Sequence, residues 1–383
     1  MKKFFNFFKK LCFEIPSKKK FLYYDMQSLQ LQKYLKLNSF NYLETRNERI
    51  NIIVLLLILI DIKTYFRILK ISLYEIYLCK YIELFKPQYV INFIDNDIKF
   101  YRIKKFLKHV IFVSIQNGLR TEINDIFSKL ISKDINNLDV DYYFVFNKNI
   151  ANELSKYINA KFIVFGSLKN NFYKNGPLKK RSELIYISQF RNNSVIKFNN
   201  HFISNKKWIS DHEAGLLNNV LLFCGKNRKR LNILSTYQKE SKLFIKEYNY
   251  FKKIILNKDW KLIPSKKNVN GLNLNYQLID SFEVTLTSWS TLGYESFARG
   301  NKVAFFQPKN FYGTKGRNFG WPCKLMKKGK FYSDQKNIGE VNRILKYLFK
   351  ISHKNWLEEK KFITINLLSR NHNLAKLKKI LSL

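Results

Sequence analysis

Short apolar runs that end in polar residues recur along the chain, with helix-like stretches between them. In the first half these runs are PQYVINFID (Pro87–Asp95), VIFVSIQN (Val110–Asn117), DYYFVFN (Asp141–Asn147) and KFIVFGS (Lys161–Ser167). The second half repeats the scheme with LIYISQF (Leu184–Phe190), LNILSTY (Leu231–Tyr237), WKLIPS (Trp260–Ser265), EVTLTSW (Glu283–Trp289) and KVAFFQP (Lys302–Pro308). Helical spacing fits 149–158, 211–224, 241–256, 272–281 and 291–299. Buried strands that alternate with helices form parallel sheets covered on both faces. The stretch SLKNNFYKNGPLKKRSE (Ser167–Glu183) is polar, carries Gly and Pro, and lacks periodicity, so it marks a domain junction. The pattern predicts an α/β protein with Rossmann-like, doubly wound domains over 1–170 and 184–350, a linker over 171–183, and a basic helix over 351–383. Facing each other, two such domains would form a cleft at the C-terminal edges of their sheets, where open α/β sheets bind ligands.

The candidate chemistry sits at those strand ends. After the strand at 283–289 comes Ser288-Trp289-Ser290-Thr291, and Gly293 and Glu295 open the next helix. A helix start offers unpaired N–H groups and the positive end of a dipole, and Ser290 and Thr291 add hydroxyls. Together they suit a phosphate. Gly293 would let backbone approach a ligand, and Glu295, one turn on, would suit ribose hydroxyls. A plain N-cap explains the same hydroxyls. In NFIDND, Asp95 is the first candidate for a base that deprotonates an acceptor hydroxyl, with Asp97 the alternate and Asn96 a substrate contact. A helix cap is the competing reading. Gln116, Asn117, Gly118 and Arg120 of SIQNGLR would hold sugar hydroxyls or a carboxylate, or simply form a turn. Ser188 and Gln189 of SQFRNNS end the first strand of the second domain. His212 and Glu213 open the helix after it, with His212 either structural or a phosphate contact. The loop GTKGRNFGWP (Gly313–Pro322), with Lys315 and Arg317, would fold over a ligand.

Composition narrows the classes. The chain has 383 residues and 46% hydrophobic content, which supports folded domains. Its net charge is +41, which attracts anionic partners. The joint abundance of Lys, Asn, Ile and Phe points to an AT-rich genome as one source of that charge. No compact basic motif accompanies it, which disfavours nucleic acid. Cys12, Cys79, Cys224 and Cys323 have neither metal nor disulfide spacing. The longest apolar run, Ile52 to Ile60, has nine residues, against about 20 for a spanning helix. The N-terminal MKKFFNFFKK, with Phe4, Phe5, Phe7 and Phe8 among lysines, is either packed on the protein or laid on an anionic membrane. A Walker phosphate loop and a GxSxG elbow are both missing from the sequence.

The stretch STLGYESFARGNKVAFF resembles the donor-site motif of a family of bacterial surface-carbohydrate biosynthesis proteins, glycosyltransferases of the GT-B type. FKPQYVINFIDNDIKFY, VIFVSIQNGLR, DYYFVFN, FIVFGSLKNN, LIYISQF, LLFCGKN, YQLIDSFEV and FGWPCKLMKKGKFYS extend it in order over roughly 40–350. The resemblance implies a transferase with an acceptor-side first domain and a nucleotide-sugar-binding second domain. Ser290 and Thr291 would hold the phosphate of a CMP- or UDP-linked donor and Glu295 the ribose, with Ser288, Gly293, Ser188 and Gln189 as further donor-side residues. Transfer would be inverting, without metal or separate cofactor, onto a glycan or lipid-linked acceptor of O-antigen or capsule. The enzyme would be cytoplasmic, with an anionic membrane surface as a partner. A 2-epimerase of the same fold is one alternative. It would need several acids and a His around the sugar, and few are placed for that. The other is a non-catalytic basic binding protein.

Overall fold

The computed structural model describes residues 10–46, 49–120, 126, 138–175, 181–192, 195–198, 201–257, 259–266, 274–307, 319–323, 325–370 and 374–382. Phe4, Phe5, Phe7, Phe8, Lys315 and Arg317 lie outside them. The chain forms two compact units. Unit one holds Met1–Asn117, Lys129–Leu168 and Asn373–Leu383, and unit two holds Gly118–Ser128 and Lys169–His372.

Unit one contains a parallel six-stranded sheet. Its strands are β1 (Phe21–Tyr24), β2 (Phe40–Tyr42), β3 (Tyr89–Asn92), β4 (Ile111–Ile115), β5 (Leu138–Val145) and β6 (Ile158–Val164), in the order β2-β1-β3-β4-β5-β6. Every residue of β1 and β3 is buried, as expected of strands covered on both faces. The strand order reverses between β1 and β3. Helices α1 (Ile52–Leu59), α2 (Ile62–Ile68) and α3 (Leu73–Phe85) precede β3, and α4 (Ile98–Ile103) and α5 (Lys148–Leu154) follow β3 and β5. Ser72 and Glu75 form a reciprocal capping box that starts α3.

Unit two repeats the design. Strands β7 (Arg181–Ile187), β8 (Leu231–Leu234), β9 (Trp260–Ile263), β10 (Phe282–Thr287), β11 (Lys302–Phe306) and β12 (Tyr332–Ser333) lie parallel in the order β9-β8-β7-β10-β11-β12. The order reverses between β7 and β10. The helices are α6 (Leu168–Phe172) at the junction of the units, then α7 (Asn205–Lys226), α8 (Lys242–Ile254), α9 (Leu274–Asp280), α10 (Thr291–Ala298), α11 (Ile338–Lys350) and α12 (His353–Leu367). A two-stranded hairpin, Val195–Phe198 with His201–Ser204, precedes α7. A last helix, α13 (Ala375–Ile380), belongs to unit one.

Three boundaries differ from the sequence reading. The polar stretch 171–183 contains part of α6 and the start of β7. The segment 351–383 is divided. Trp356 of α12 is buried in unit two, its indole N–H donating to the carbonyls of Gly300 (3.1 Å) and Asn301 (3.0 Å). Ser382 follows α13 and meets the Tyr89 hydroxyl at 3.0 Å in unit one. The segment after β4, Gly118–Ser128, is counted with unit two.

Candidate functional site

The point where strand order reverses is where open α/β sheets bind ligands. In unit two it lies between the ends of β7 and β10, followed by Ser188-Gln189 and Ser288-Trp289-Ser290. Ser288 is buried, while Ser290 and Thr291 are partly exposed. Ser290 has the extended N-cap backbone (φ −72°, ψ 133°), yet its side chain makes no capping hydrogen bond. Ser72, Ser241 and Ser352 all cap their helices with their side chains. The Thr291 hydroxyl accepts from the Leu119 N–H at 3.1 Å, and both residues belong to unit two. A Cβ added at Gly118 would come into ordinary contact with that same oxygen.

Gly293 has a packing role. A Cβ there would overlap the Thr287 side chain, so glycine lets the first turn of α10 pack onto the end of β10. Glu295 shares a helix face with Thr291 and is buried. Burial lowers the Lys169 pKa, and the Glu295 charge offsets part of that shift.

Beneath this point lies a polar floor. His212 sits two turns into α7, because the helix begins at Asn205 rather than near 211. Its Nε2 approaches Ser288 Oγ at 3.0 Å and the Phe306 carbonyl at 3.1 Å. A carbonyl only accepts, so Nε2 carries the proton. Burial and the charge of Lys336 hold His212 down to about 3, so it is neutral. The Glu213 carboxylate accepts from Tyr186 OH (2.8 Å), Gln189 N–H (3.1 Å) and Tyr250 OH (2.5 Å). Glu247 accepts from Ser188 Oγ at 2.5 Å and from Ser235 Oγ. Ser188, Gln189, Ser288 and His212 therefore form a built support, and Glu247 and Tyr186 are members that the sequence reading missed. Nothing in the spacing of Glu247 along α8 marks it.

Desolvation pushes Glu213 up to about 7 from an ordinary 4.5. Between those values the folded chain keeps a proton that the unfolded chain has lost. Its contribution is whole below pH 4.5 and lost as pH rises through 7. His212 runs the other way, losing stability as pH falls from 6.5 through 3. The two slopes oppose each other from pH 4.5 to 6.5. We expect Glu213→Gln to remove one of them. Its deficit relative to wild type should shrink by about 3 kcal/mol between pH 5 and pH 8, at about 1.4 kcal/mol per pKa unit. Urea melts at both pH values check this, and an unchanged deficit would mean that Glu213 is charged in the fold.

In unit one, order reverses between β1 and β3. Asp95, just past β3, is fully buried. Its Oδ1 accepts from the Asn117 N–H (3.1 Å) and its Oδ2 from Tyr143 OH (3.0 Å). Asp97 caps α4 by accepting from the Lys99 N–H, and it is partly open to solvent. Tyr24 OH, at the end of β1, points to its Oδ2 at 3.4 Å. Asn96 and Asn117 are partly exposed. Gln116 is buried and knits β4 to β5, its Oε1 accepting from the Phe146 N–H at 2.8 Å. Arg120 is buried and is counted with unit two. Sequence reading passed over Asp25, at the end of β1. It holds a positive φ (82°) and accepts from Gln27 N–H, Thr45 Oγ1 and Arg46 Nε. An acid directly after an apolar run, FLYYD, is the same signal that singled out Asp95.

A family model described as "putative O-antigen biosynthesis protein" matches residues 113–382. The chain belongs to this family. Among solved structures it is similar to a "putative UDP-N-acetylglucosamine 2-epimerase" from Listeria monocytogenes, at 10% identity over 95% of both chains with a TM-score of 0.52. It is also similar to a glycosyltransferase from Rickettsia africae, at 12% identity over 95% of this chain and 98% of that one, with a TM-score of 0.50. These likenesses concern the fold, which is of the GT-B type. Comparison with curated proteins gives no match. Among the described residues no group of three or more His, Cys, Asp or Glu side chains is arranged for a metal ion.

Proposed function

We propose that this O-antigen family member is a glycosyltransferase that moves a sugar from a nucleotide donor to a surface glycan or its lipid-linked precursor. The observation that carries this reading is the uncommitted Ser290 hydroxyl at the start of α10, at the strand-order reversal of unit two. There the first-turn N–H groups and Ser290 take the donor phosphate, and Glu295 takes the ribose. CMP- and UDP-linked donors both fit this chemistry. His212 and Ser288 position the loop rather than touch the phosphate. On the acceptor side we assign the base to Asp97, because Asp95 is closed in by Tyr143 and Asn117. The acceptor oxygen bonds to the anomeric carbon as the bond from that carbon to the phosphate oxygen breaks. The acceptor proton goes to Asp97, and the nucleotide leaves with its charge held at α10.

Ser290→Ala separates a ligand role from a capping role. Loss of a working N-cap costs about 1 kcal/mol of stability. We expect no change in the ligand-free melting temperature and roughly tenfold weaker nucleotide binding, as for a lost hydrogen bond to a charged group. Thermal shift with UDP, CMP and GDP nucleotides reads both. Release of a 2-epimer from a UDP-sugar without any acceptor would overturn the transferase reading.

A further inference from the structure

Ten large apolar side chains stand exposed between Leu55 and Leu73 in unit one. Ile60 is 80% exposed, Ile62 71%, Phe66 71% and Leu69 88%. They lie on α1, α2, the links beside them and the first residue of α3, a density far above the scattered apolar residues of an ordinary surface. Asn51 caps α1 through the Ile53 N–H, and Asp61 caps α2 through the Lys63 N–H, so both helices are built elements. At about 1.5 Å per residue neither approaches the ~30 Å of a bilayer core.

A pocket of about 470 Å³ adjoins the start of α2, lined in part by Asp61, Lys63, Lys80, Lys86 and His109. Its acids are already committed: Asp61 pairs with Lys80 at 2.6 Å, and Glu83 with Arg67 at 2.6 Å. The surplus charge is the cationic one, on Lys63 and Lys86, both exposed. Apolar side chains next to a cationic pocket complement one surface in particular, acyl chains beneath anionic headgroups. A second copy of the chain would bring like charges together at that rim.

We propose that α1 and α2 form a monotopic anchor that enters the outer layer of an anionic phospholipid membrane, with a lipid phosphate held by Lys63 and Lys86. The inference uses neither the N-terminal Phe-Lys stretch nor the donor site, so it stands or falls apart from the transferase reading.

The test is flotation of the full chain with vesicles of 70% phosphatidylcholine and 30% phosphatidylglycerol, against pure phosphatidylcholine. Wild type should float with the anionic vesicles. The triple variant Ile62→Ser, Phe66→Ser, Leu69→Ser should lose at least tenfold in partition while keeping its melting temperature. Lys63→Glu with Lys86→Glu should lose a similar factor on anionic vesicles only. A triple variant that binds like wild type would overturn insertion, leaving only surface charge. A triple variant with a clearly lowered melting temperature would mean that the chain covers this face itself. A wild-type dimer in sedimentation that the triple variant breaks would assign the face to a second copy. Each of these results sinks the proposal, as does wild type that stays with neither vesicle.

Discussion

Asp97→Asn is expected to reduce sugar transfer at least 100-fold and leave the fold and donor binding unchanged. Asparagine is as good an N-cap as aspartate, so α4 keeps its start at the Lys99 N–H. What disappears is the proton acceptor, and a positioned base is worth about 10² to 10⁴ in rate. Asp95→Asn should behave differently. Its carboxylate receives two donors, one on each oxygen, and it is fully buried. An amide supplies one acceptor oxygen and turns an N–H₂ group toward the other donor. That clash should cost about 1–3 kcal/mol of stability and loosen the Asn117 loop. The two variants, compared by single-turnover transfer and by urea melts, separate base from scaffold. If Asp95→Asn loses turnover with stability intact while Asp97→Asn transfers normally, the assignment is reversed.

The fold was legible because buried parallel strands are short apolar runs with no need of alternation. Nine such runs were readable, and each contains or overlaps a strand of one of the two sheets. β1 and β2 escaped for a physical reason. FLYY directly follows a lysine run, and FNY is only three residues. β1 takes its place by pairing with β3, a long-range contact, and β2 by pairing with β1. At the candidate site, residue type and strand-end position singled out Ser188, Gln189, Ser288 and Ser290. Position alone did not reveal duties. Gly293 serves packing against Thr287, Gln116 serves the β4–β5 pairing, and His212 reaches Ser288 from well inside a helix rather than from its start. Those duties depend on partners distant in sequence, such as Phe306 for His212. The exposed residues of α1 and α2 show the same limit from the other side. The run Ile52 to Ile60 is too short to span a membrane, and only tertiary placement shows which of its side chains are covered, Val54 among them.

The largest loss of stability should come from Asp280→Asn, at the far end of α10 from the candidate phosphate site. The Arg299 guanidinium is wholly buried and pairs with both oxygens of Asp280 at 2.5–3.1 Å. It also donates to Asn170 Oδ1 (3.2 Å) and to the Tyr173 (3.1 Å) and Lys174 (2.5 Å) carbonyls, and stacks over Tyr276. Asn301 donates to the other side of Asp280 at 2.6 Å. This network ties the end of α10 to α9 and to the segment that leads into β7. Neutralising Asp280 strands a buried cation, a change that costs about 3–5 kcal/mol. For a unit of this size that is roughly 6–20 °C in melting temperature. Arg299→Met removes the charge but leaves carbonyls and Asp280 without their donor, so it should also destabilise. The double variant should lose much less than the sum of the two, because neither member is then left charged and alone. A double-mutant cycle by chemical denaturation measures the coupling. Additivity within about 0.5 kcal/mol would show that the pair does not act as a unit. Positive coupling would make Arg299 the post that holds α10, and the Ser290 hydroxyl at its other end, in register with β10.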